Sequence, residues 1–96
     1  MLIKAGVDIS RLNPEIRRSL TISEAVVRDI EGEELVVTST YEGNHLPGSL
    51  HYANGAYDMR RFEKPINTRR ELIKRLGPDF FIYISSTHIH VGYDPK

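Results

Sequence analysis

The chain carries four histidines and no cysteine. Any metal chemistry therefore falls to imidazole and carboxylate, without help from thiolates. In His88-Ile89-His90-Val91-Gly92-Tyr93, a strand would send successive side chains to opposite faces. His88 and His90 then share one face, roughly 6.6 Å apart along the strand, and Ile89, Val91 and Tyr93 take the other. Ala56-Tyr57-Asp58-Met59-Arg60 behaves in the same way: Tyr57 and Met59 go inward and Asp58 goes out. If the two strands share a sheet, Asp58 meets the histidine pair without any special loop. His51 precedes Asp58 by seven residues, and a turn at Asn54-Gly55 would fold it back towards the strand. Imidazole nitrogen and aspartate oxygen suit zinc at about 2.0–2.2 Å. Three such ligands with an open fourth position characterise catalytic zinc, which brings the pKa of water down to about 7. Taken singly, each pattern also fits half-exposed polar residues. Taken together, they place their polar members on one open face.

The elements that position these residues follow from punctuation and periodicity. Asn13-Pro14-Glu15 reads as a helix start, with an N-cap, a proline at the first helical position and an acid near the positive end. Thr21 and Glu24 match a capping box. Residues 14–31 are therefore predicted as two short helices in series, the second ending near Gly32, with Ile22, Val26 and Ile30 as its buried stripe. A β-branched run predicts a strand over 34–40. Residues 41–55 hold three glycines, a proline and two asparagines, and form the longest irregular stretch. A second strand is expected over 56–61. Thr68 with Glu71 predicts another helix start, with Leu72, Ile73 and Leu76 inward and Gly77-Pro78 as the stop. Residues 80–84 are apolar on both faces and read as a buried strand, and 88–93 as the last strand. The expected fold is a single α+β domain over residues 1–96, a small antiparallel sheet with helices packed on one face. Its helical part spans 1–33, and the sheet and metal site span 34–96.

At 96 residues there is room for one core. Apolar residues at 40% and charged residues at 27% fit a globular chain. Thirteen basic residues balance thirteen acidic ones, which disfavours binding to nucleic acid or anionic membrane through bulk charge. The absence of cysteine excludes disulfide scaffolds, thiolate zinc sites and cysteine nucleophiles. No stretch approaches the roughly 20 apolar residues of a membrane helix. The first ten residues do not read as a charged-then-apolar leader. The expectation is a chain that is cytoplasmic as synthesised and not inserted in a membrane.

Ser49-Leu50-His51-Tyr52-Ala53-Asn54-Gly55-Ala56-Tyr57-Asp58, followed by His88-Ile89-His90, resembles the LAS-type zinc peptidases. That family is named for lysostaphin, D-alanyl-D-alanine carboxypeptidase and the sonic hedgehog signalling domain. Its motif is SxHxxGxAxD with a later HxH, and the resemblance runs from about Val36 to Pro95. The branch resembled most is the D-alanyl-D-alanine carboxypeptidase-like one, which includes small phage and prophage members. The resemblance implies a hedgehog/D-Ala-D-Ala peptidase-like fold, zinc held by His51, Asp58 and His90, and peptidoglycan stem peptides as substrates. It places His88 beside the metal, to hydrogen-bond water or the oxyanion or to carry protons. Release to the cell wall by a phage-type route would bring such a protein to its substrate.

The sequence departs from the family pattern at three places. The motif glycine falls at Asn54, with Gly55 one place later; asparagine tolerates left-handed backbone best after glycine. Family members often carry Tyr-Arg before the motif, the arginine holding a substrate carboxylate, whereas Tyr41 is followed by Glu42. An acid there suits an amine or a proton. Many members place a general-base glutamate three residues before the last zinc ligand, and here Thr87 stands there. The base role is open among His88, Glu42 and His45, with His88 favoured. A catalytically weak or inactive zinc-binding module, for cell-wall or protein binding, is the alternative reading.

Other residues are weighed against simpler roles. His45 is a solvated loop histidine or a substrate contact. Ser49 lacks the Gly-x-Ser-x-Gly elbow of a nucleophile and reads as a hydroxyl bonding the loop or orienting a ligand. Arg60 shares the face of Asp58 and is a surface arginine or a carboxylate contact. Tyr52 packs in the core or lines the groove. Arg69, Arg70, Lys74 and Arg75 form a basic helix face, most simply a solvated one. The sequence leaves the oligomeric state open.

Overall fold

The computed structural model describes residues 1–40 and 55–95. Among them lie seven elements: β1 (Leu2–Ile3), α1 (Pro14–Glu31), β2 (Val36–Ser39), β3 (Ala56–Arg60), α2 (Pro65–Leu76), β4 (Phe80–Ile84) and β5 (His88–Tyr93). The fold is α+β, with a five-stranded sheet in the order β1-β2-β3-β5-β4. The sheet is mixed and not purely antiparallel: β1, absent from the expected elements, runs parallel to β2, and the other pairings are antiparallel. A two-residue strand carries too little pattern to be read from sequence.

β3 and β4 run in the same direction, because each lies antiparallel to β5. α2 joins them, and β5 fills the slot between. This topology brings the 56–60 and 88–93 segments side by side. Tyr57, Met59, Ile82, Ile89 and Val91 form one buried cluster with Ile16, Leu20, Val26 and Val27 of α1 and Leu72 of α2. Both helices therefore cover the same sheet face.

α1 is one continuous helix, not two. Ile16, Ser19, Leu20, Ser23, Val26 and Val27 are its buried residues, a single stripe at spacings of three and four that is buried only if the helix runs through. The stripe is rotated from the expected one. Val26 lies on it, while Ile22 and Ile30 only flank the core. Two serines occupy the central places because the Tyr57 hydroxyl lies opposite, 2.6 Å from Ser23 Oγ and 3.1 Å from Ser19 Oγ. Ser19 Oγ donates in turn to the Ile16 carbonyl at 2.6 Å. Gly32 ends the helix in the left-handed region, at φ 67°.

α2 starts at Pro65, three residues before the expected Thr68. Thr68 is buried, and its hydroxyl donates to Glu31 Oε2 at 3.1 Å instead of capping its own helix. The Glu31 carboxylate also accepts the Lys64 N–H at 3.0 Å. It acts as the cap from the end of α1 and places a negative charge at the positive end of α2. Glu71 pairs with Arg75 at 2.9 Å instead of closing a capping box. Glu31→Ala is expected to cost about 1 kcal/mol in urea unfolding; an unchanged midpoint would show that this carboxylate does not hold the helix junction.

Two further expectations are corrected. Ile73 is exposed, while Leu72 is buried and Leu76 packs at the rim of the core. β4 is an edge strand buried on one face only: Ile82 lies in the core, but Phe81 and Tyr83 are more than half exposed. An apolar run cannot by itself distinguish a central strand from an edge with aromatics on its open face. Arg69 Nε donates to the Ile82 carbonyl at 3.0 Å, and Arg75 bridges to Asp29 at 3.2 Å. Two members of the basic face are thus used in holding α2 to its neighbours. No helix among the described residues is long and apolar enough to cross a membrane.

Candidate functional site

The site lies on the sheet face opposite the helices. Asp58 is in register with His90, and Arg60 with His88. With Tyr57 and Met59 inward, strand alternation turns Asp58, Arg60, His88 and His90 to the other face. Asp58 Oδ1 lies 3.1 Å from His90 Nδ1, and Asp58 Oδ2 lies 3.6 Å from His88 Nε2. One carboxylate is thus flanked by two imidazoles. The Asp58 side chain is 11% exposed, His90 18% and His88 33%, so the cluster opens to solvent on the His88 side.

Its neighbours extend the surface. Tyr83 is in register with His90. The Phe81 ring stands edge-on to the His90 ring, with centroids 6.2 Å apart. The two exposed aromatics of β4 therefore border the cluster. Thr38 Oγ1 donates to the Asp58 carbonyl at 3.3 Å from the β2 side.

His88 is held by the turn that joins β4 to β5. The Ser85 N–H donates to the His88 carbonyl at 2.9 Å and closes the hairpin. Ser85 Oγ lies 2.8 Å from His88 Nδ1, and Thr87 Oγ1 lies 3.0 Å from the same nitrogen. With Nδ1 engaged by the turn, Nε2 faces Asp58. In the sequence Thr87 stands only where the family pattern has a glutamate, and Ser85 belongs to no motif. The signal was present as three hydroxyl residues, Ser85-Ser86-Thr87, between two strands and directly before a histidine.

The structure thus brings together Asp58, His88 and His90, the three sequence candidates with mutual contacts among the described residues. Arg60 lies on the same face and is exposed at the strand end. His51, Ser49, Tyr41, Glu42 and His45 lie outside the described residues. Among the described residues, no group of three or more histidine and carboxylate side chains is arranged to hold a metal ion. The 3.1 Å between Asp58 Oδ1 and His90 Nδ1 is close to the roughly 3.3 Å edge of a tetrahedron with zinc–ligand arms of about 2.0–2.1 Å. These two donors fit as adjacent ligands.

Compared with known proteins, the chain matches no family model and no curated sequence.

Proposed function

We propose that the chain is a zinc-dependent peptidase-like domain that hydrolyses peptide bonds in peptidoglycan stem peptides, of the D-alanyl-D-alanine carboxypeptidase or endopeptidase type. The observation that carries the reading is the meeting of Asp58 with both histidines of the HxH pair on the sheet face away from the helices. Asp58 and His90 would hold the metal together with His51. Bound zinc would supply a Lewis acid for the scissile carbonyl and a water acidic enough to ionise near neutrality. His88, anchored through Nδ1 to the β4–β5 turn, would contact the reacting oxygens and not the metal. The exposed rings of Phe81 and Tyr83 would line the approach to the site. The fold reading that goes with this is hedgehog/peptidase-like, and what supports it is that Asp58, the last residue of the first motif, and the later His88-Ile89-His90 lie on adjacent antiparallel strands. Delivery from the cytoplasm to the wall belongs to the same proposal.

The test is zinc content of the purified protein, followed by cleavage of muropeptides with and without chelator. Stoichiometric zinc and chelator-sensitive cleavage are expected, and His51→Ala should remove both. Zinc without cleavage would favour a binding module that has kept the site and lost turnover. Thr87 motivates that second reading, because its hydroxyl is turned to His88 where many LAS-type peptidases place a glutamate. No zinc in the unmodified protein would end both readings.

A further inference from the structure

We propose that Ser85 is a positioning residue that fixes His88 as the tautomer with its proton on Nε2, so that His88 presents an N–H, not a lone pair, to the site. A serine hydroxyl has one proton to donate and two lone pairs to accept with. Both lone pairs of Ser85 Oγ are taken: the His88 N–H donates to it at 3.0 Å and the Thr87 N–H at 3.2 Å. What remains is the single hydroxyl proton, with two acceptors in reach. One is the His88 carbonyl at 3.2 Å, which already accepts the Ser85 N–H. The other is His88 Nδ1 at 2.8 Å. The shorter contact takes the proton, Ser85 lying nearer to Nδ1 than the Thr87 hydroxyl at 3.0 Å, so Nδ1 is the bare nitrogen and Nε2 carries the hydrogen. The opposite side of the ring agrees. Nε2 faces Asp58 Oδ2 at 3.6 Å, and an ionised carboxylate can only accept. That distance is too long for a hydrogen bond, but the charge still favours an N–H over a lone pair on the facing nitrogen. The reverse tautomer would put Nδ1–H against a hydroxyl with no lone pair left and a bare Nε2 against a carboxylate. Only Thr87 Oγ1, at 3.0 Å, would then serve Nδ1–H.

The consequence rests on the peptidase reading above and sharpens it. In the tautomer with its proton on Nε2, His88 cannot take a proton from water there. It can donate a hydrogen bond to an oxygen on which negative charge develops. The general base must then be another group, and His88 has the role of oxyanion donor.

Nitrogen-15 NMR of the imidazoles at about pH 8, where an ordinary histidine is neutral, tests the assignment directly. In the unmodified chain His88 is expected to show a protonated Nε2 and a bare, hydrogen-bonded Nδ1. Ser85→Ala should lose the hydrogen-bonded Nδ1 signature, Ser85→Thr should keep it, and Thr87→Val should leave it unchanged. A proton on Nδ1 in the unmodified chain, or a Ser85→Ala spectrum like the unmodified one, would overturn the proposal. If the peptidase reading also holds, Ser85→Ala lowers kcat roughly 10-fold or more with KM little changed, and Ser85→Thr restores it. The expected tautomer in a chain that neither binds zinc nor cleaves peptide would support the Ser85 assignment and remove only the peptidase reading.

Discussion

Asp58→Ala is expected to weaken zinc binding by more than the roughly 10–100-fold that loss of an outer-shell partner costs, because on the proposed reading it removes a ligand outright. Asp58 sits in a strand flanked by β2 and β5, and its two oxygens face one imidazole each. His90→Ala should have the same effect. His88→Ala should not: its ring is tied to the turn through Nδ1, and only Nε2 approaches the carboxylate. The expected pattern is therefore two variants without zinc and one with zinc but little cleavage. Zinc titration followed by a muropeptide assay reads both, with circular dichroism to check that each variant is folded. Equal zinc loss in all three variants would place His88 on the metal and contradict the roles assigned here.

The second large effect concerns stability at alkaline pH. The Tyr57 hydroxyl is fully buried between β3 and α1, and burial pushes its pKa up to about 12 from an ordinary 10.0, against the opposing pull of its hydrogen bonds with Ser19 and Ser23. The folded state thus holds this proton more tightly than the unfolded chain does. The resulting stabilisation is complete below about pH 10 and is lost as pH rises from there through about 12. A shift of this size is worth about 3 kcal/mol, a large part of the stability of a small domain. Tyr57→Phe should cost about 1–2 kcal/mol near neutral pH, through the lost hydroxyl chain to Ser19 and Ser23. It should also flatten the alkaline decline. Urea unfolding near neutrality and at about pH 11 measures both effects. Parallel declines in the two proteins would show that the buried phenol is not what destabilises the fold.

The same tyrosine shows where the sequence was readable. Strand alternation placed Tyr57 and Met59 inward and Asp58 outward, and the register of β3 on β5 agrees residue by residue. Alternation is a strict two-residue period, so one correct strand assignment fixes every side chain on it. Helix starts were harder. Thr68 looked like a cap by local chemistry, yet its hydroxyl serves a carboxylate 37 residues away in sequence. The break expected at Thr21 failed for a related reason. Ser19 and Ser23 count as polar in a periodicity, but they are core residues once Tyr57 supplies partners for their hydroxyls. The edge position of β4 depends on β5 inserting beside β3, a choice of topology that a run such as Phe80-Phe81-Ile82-Tyr83-Ile84 does not encode. Ser85 was passed over because its role depends on a turn closing beneath a histidine, which only the assembled hairpin reveals.

A crystal structure of the zinc-treated protein, with anomalous scattering collected at the zinc edge, locates the proposed metal outright. One peak is expected on the open sheet face, with Asp58 oxygen and His90 nitrogen at about 2.0–2.2 Å from it and His88 beyond ligand distance. A peak elsewhere on the molecule, a peak ligated by His88, or no peak in protein exposed to stoichiometric zinc would contradict it.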